Sequence, residues 1–110
     1  MLAADLVTIS DGVSALRRVS ALIAKRPVLL DAARAPLVLR DIDGLAGRLE
    51  DPDEREWDLG PNFAFLAPVD IGSVVMARDI LDASGLPDAK TRHDLDALEN
   101  FLRRFFNCWI

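Results

Sequence analysis

Apolar residues recur along this chain at intervals of three and four, and three stretches hold that rhythm long enough to specify helices. Leu2, Leu6, Ile9, Val13, Leu16, Val19 and Ile23 form the first stripe, with Ser14, Arg17, Arg18 and Lys25 off it. The spacing predicts one helix over residues 2–25. Ser10-Asp11-Gly12 is its weak point, because that triplet also suits the cap of a shorter helix starting near Val13. Pro27 then stops the helix or opens a new one. Val38, Ile42, Leu45 and Leu49 predict a helix ending near Glu50, preceded by a brief alanine-rich helix over residues 28–35 that stops before Pro36. Gly44 and Gly47 each weaken the longer helix by roughly 1 kcal/mol relative to alanine. They are also candidate sites for a close helix crossing. The last stripe, Leu95, Leu98, Leu102, Phe105 and Trp109, is flanked by Phe101, Phe106 and Ile110.

Between these stripes the pattern changes. Residues 51–62 contain two prolines, a glycine, five acids and Trp57, and read as a loop. Trp57 there is either a lid folded over the core edge or an anchor for a partner. Residues 63–67 alternate well enough for a short extended segment, or open the next helix. That helix is expected over residues 71–84, with Asp70 as its N-cap and Gly85, Leu86 and Pro87 as its stop. Thr91 is expected to cap the last helix, with Asp94 three residues on. Together these elements predict an all-α fold, a compact bundle of four to five helices in a single domain spanning 1–110.

Composition narrows the function classes. At 110 residues with 51% hydrophobic and 28% charged residues, the chain can build one core without disulfides or metal. Its single cysteine, Cys108, excludes an internal disulfide and fits a reducing compartment. With no basic-then-apolar leader and no apolar run of bilayer length, a cytoplasmic location is expected and a membrane partner is not. Arginine-rich, lysine-poor usage suggests a GC-rich bacterial genome. Charge is divided: residues 1–50 carry 7 basic and 6 acidic side chains, or +1, and residues 51–110 carry 6 and 12, or −6. An acidic chain without a dense basic stripe is a poor nucleic-acid binder.

Candidate chemistry is sparse. Asp41-Ile-Asp43-Gly44, following Pro36-Leu-Val-Leu-Arg, has the Asp-x-Asp-Gly pattern that haloacid-dehalogenase-type phosphotransferases place at a strand end around magnesium. Here Arg40 interrupts the apolar run, and Leu45 stands where that family has threonine. On a helix the two aspartates point about 200° apart. Asp51, Asp53, Glu54, Glu56 and Asp58 miss the EF-hand pattern, with Arg55 at position 5, Glu56 at 6 and Asn62 at 12. His93 and Cys108 are too far apart on one helix to act as a base and nucleophile. A usual zinc site lacks ligands. No cofactor and no metal is expected.

The aromatic end of the chain has the most functional content. Four of the seven Phe and Trp residues fall within the last ten positions. Arg103 and Arg104 leave that helix only a narrow polar face. The helix is then central to its own bundle or part of an interface. The expected role is a small non-enzymatic interaction or regulatory protein, self-associating as a homodimer or binding a protein partner. Phe101, Phe105, Phe106, Trp109, Ile110 and Trp57 are the expected interface residues. Two alternatives are a small metal-dependent enzyme or ligand-binding domain using Asp41, Asp43 or the acidic 51–58 loop, and an accessory subunit of a larger complex.

Overall fold

In the computed structural model the chain is described over residues 3–26, 30–31, 33–50 and 67–105, with the side chains of 67–69 and 105 excepted. These residues form α1 (Ala3–Lys25), α2 (Ala35–Glu50), α3 (Ala67–Ser84) and α4 (Ala89–Phe105). The described residues contain no strand, and the fold is a small all-helical bundle. The loop expected at 51–62, the question of an extended segment at 63–66, and the chain after Phe105 lie outside the described residues.

α1 is the axis of the bundle. Its stripe residues Ile9, Val13, Leu16, Val19 and Ile23 are all buried, and Leu16 is wholly enclosed. Both main neighbours run antiparallel to it. Ser20 donates to Asp43 at 2.6 Å and Arg17 reaches Glu50, so α2 ascends as α1 descends. On the other flank Arg18 meets Thr91 and Asp94, while Gly12 meets Leu98. α3 and α4 form a second antiparallel pair. Arg92 pairs with Asp82 near their junction, and Arg78 pairs with Asp96 and Glu99 farther along. The core of Leu45, Leu49, Val74, Leu81, Leu95, Leu98 and Leu102 closes where these two pairs meet.

α1 runs unbroken through Gly12, as the stripe predicts, and the reason lies in the partner helix. A Cβ at Gly12 would sit 2.7 Å from Leu98 Cδ2 and 2.9 Å from Leu98 Cβ. This glycine is the close crossing. Gly44 and Gly47, expected in that role, have nothing within 4 Å of an added Cβ and lie on the exposed side of α2. They are ordinary weak points in a helix held by its apolar stripe.

Three helix starts differ from expectation. The brief helix over 28–35 is not formed at the residues described there. Asp31 instead makes a turn, its carboxylate accepting from the backbone N–H of Ala33 (3.1 Å) and Arg34 (2.9 Å). Pro36 lies inside the first turn of α2, where a missing N–H costs nothing. α3 begins at Ala67, so Asp70 is within the helix and not its cap. α4 begins at Ala89 and is capped by Asp88, not Thr91. Asp88 accepts from the Thr91 N–H at 3.0 Å and from its hydroxyl at 2.7 Å. The stop of α3 follows the sequence, with Gly85 at φ 71°, the left-handed region that glycine tolerates.

Candidate functional site

Polar side chains that enter the bundle do so in pairs. The Asp88 cap binds the Thr91 hydroxyl, and the same hydroxyl accepts Arg18 Nε at 2.7 Å. Arg18 Nη2 continues to Asp94 at 3.2 Å, which also accepts Lys90 at 2.9 Å. One arginine on α1 is thereby locked to the first two turns of α4. Thr91 and Asp94 are 1% and 5% exposed, so both would be costly to bury unpaired. The two hydrogen bonds from Thr91 hold the Asp88 carboxyl below its usual range.

A second pair ties α2 to α3. Arg48 Nη2 donates to Asp70 Oδ1 at 2.5 Å, and Asp70 is 5% exposed. Burial pushes the Asp70 carboxyl up, and the Arg48 charge and hydrogen bond offset part of that rise. On α3, Arg78 sits between Asp96 and Glu99, whose hydrogen bonds and charge raise its already high pKa. Each of these groups is engaged in an ion pair between helices. Among the described residues no group of three or more His, Cys, Asp or Glu is placed to hold a metal ion.

The aspartates of the Asp-x-Asp-Gly pattern are separated by the helix. Asp43 accepts from Ser20 and pairs with Arg17 at 3.5 Å, while Asp41 pairs with its neighbour Arg40 at 3.5 Å. His93 is exposed at the start of the second turn of α4. The acidic 51–58 stretch, Trp57 and Cys108 lie outside the described residues.

Of the expected interface residues, Phe101 is 4% exposed and belongs to the chain's own core, beside Leu98 and Leu102. Its place in the 3–4 rhythm (Leu98 to Phe101) gives it an inward position like that of its neighbours. Phe105 is the last residue of α4, and Phe106, Trp109 and Ile110 lie beyond the described residues.

Among the described residues, the open apolar surface is elsewhere. Leu6 and Val7 on α1 are 48% and 60% exposed, with Leu37 and Leu86 similarly bare. A groove of about 370 Å³ is lined by Leu6, Ile9 and Val13 of α1 and Leu49 of α2. A second groove, of about 310 Å³, lies beside the other half of α1 and is lined by Leu22, Leu81 and Leu86. Leu6 belongs to the inward stripe by spacing, and its exposure was not legible. Val7 lies off that stripe, which was a readable signal. Among the described residues no helix is long and apolar enough to cross a membrane. No protein-family model, no curated protein and no solved structure matches the chain.

Proposed function

We propose that this chain is a small non-enzymatic interaction protein that associates with a second copy of itself, with the apolar end of α4 at the contact. The observation that supports this reading is the division of labour among its side chains. The buried carboxylates Asp70 and Asp94 each face an arginine that fastens one helix to another. Four large apolar side chains, Leu6, Val7, Leu37 and Leu86, are left exposed. α4 spends Leu95, Leu98, Phe101 and Leu102 on its own core. Its sequence stripe continues to Phe105 and Trp109, flanked by Phe106 and Ile110, and these four large apolar groups are assigned to the contact. Homo-oligomers favour two-fold, self-complementary contacts, which suits helix ends of this kind.

The test is molar mass in solution by light scattering after size exclusion, for the intact chain and for Trp109→Ala. The expected result is a dimer that becomes a folded monomer on substitution. A folded monomer in both cases overturns self-association and leaves a partner of different sequence as the reading to pursue.

A further inference from the structure

Among the described residues, no helix covers the solvent side of α1. Val7, Ser10, Ser14, Ala21 and Lys25 are exposed on it, between the flank held by α2 and the flank held by α4. The two grooves border this face at opposite halves of α1. Charge follows the same division. Asp11 lies in the first half of this side and Arg18 and Lys25 in the second, while Arg17 is turned to Asp43 and Glu50 on α2. Such a helix is complementary to a reversed copy of itself.

We propose that a second copy of this chain packs antiparallel along this face of α1, seating Val7 of each copy in the groove lined by Leu22 and Leu86 on the other. A two-fold axis passing between Ser14 and Ala15 sets Val7 of one copy opposite Leu22 of the other, and Asp11 opposite Arg18. At about 100° per residue, these four positions fall within roughly 60° of arc, so they share one rim of the helix. An axis perpendicular to two antiparallel helices brings like rims together, and both pairings form twice. Val7 is 60% exposed, and the groove opposite it is bordered by Leu86, itself 47% exposed. Asp11 has no ion pair among the described residues, while the Arg18 side chain is 41% exposed beyond its bonds to Thr91 and Asp94. Ser10, Ser14 and Ala21 keep the rest of the face low enough for close approach. The inference rests on the self-association proposed above and adds the face of α1 to the same two-fold contact.

The experiment combines solution mass with cysteine cross-linking. Val7→Arg is expected to convert the dimer to a folded monomer whose melting temperature no longer rises with protein concentration, because the side chain is exposed in the single copy. In a Cys108→Ser background, Ser14→Cys beside the axis is expected to form an intermolecular disulfide under mild oxidation. Ala21→Cys, about 20 Å from its counterpart, is expected to form none. A Val7→Arg dimer alongside a Trp109→Ala monomer overturns the α1 contact and leaves self-association standing. A monomeric intact chain overturns both. A monomeric intact chain that also melts lower as Val7→Arg would assign the cover of this face to a segment of the same chain. Equal cross-linking at Ser14→Cys and Ala21→Cys overturns the antiparallel arrangement.

Discussion

Asp70 keeps a carboxylate at the α2–α3 contact where little water reaches it, and Arg48 offsets only part of the resulting rise in its pKa. A raised carboxyl favours the folded state in its protonated form, and that contribution is lost as pH rises through the folded pKa. Asp70→Asn removes the penalty, and Arg48, half exposed, can return its charge to water. Asp70→Asn is therefore expected to melt higher than the native chain at neutral pH, with the gap closing as pH falls into the carboxylate range. Thermal melts across pH check this, and a lower melt at neutral pH would show that the ion pair outweighs the burial. Gly12 is the converse case, a position defined by what is missing. Alanine there meets Leu98 near its backbone and is expected to cost about 1–3 kcal/mol by overpacking. Gly44→Ala, on an open helix surface, is expected to gain up to roughly 1 kcal/mol. Denaturant midpoints of the two variants should move in opposite directions.

At the scale of elements, the helices themselves were legible, because each carries an apolar stripe that a single face must bury. The continuity of α1 and the end of α2 at Glu50 follow from Ile9, Val13, Leu16, Ile42, Leu45 and Leu49. Starts were less legible, since several residues near each start are competent caps. Asp88 and Thr91 both suit that place, and the earlier one takes it because Pro87 has already ended the preceding turn. Thr91 is thereby freed to bind Arg18, a contact 73 residues away in sequence that no local pattern records. Asp70 likewise resembles a cap until Arg48 gives it a tertiary partner. Asp88→Ala is expected to lower the melting temperature by about 4–8 °C. Because its bonds to Thr91 hold the Asp88 carboxyl low, its contribution is full above the unfolded carboxylate range. It is lost as pH falls through the folded pKa. A melt of Asp88→Ala that differs from the native chain equally at neutral and strongly acidic pH would exclude that account.

For the molecule as a whole, the candidate surfaces were half legible. The apolar end of the chain was visible as a stripe too wide for one face, yet Phe101 proves to be core, since membership of a stripe does not say which neighbour covers it. The open side of α1 was hidden for the same reason. Only the positions of α2 and α4 reveal which flank they leave bare. The close approach at Gly12 and Leu98, with the Arg18 bonds 73 and 76 residues apart, also has a consequence in time. Helical bundles usually fold fast because their contacts are local. Here a close contact joins the first helix to the last, so a loop containing most of the chain must close before it forms. During synthesis, α1 emerges long before α4. Until the final helix leaves the ribosome, the half of its apolar stripe that faces Leu95, Leu98 and Leu102 has no cover, and a nascent chain stalled before Thr91 would present that stripe to chaperones.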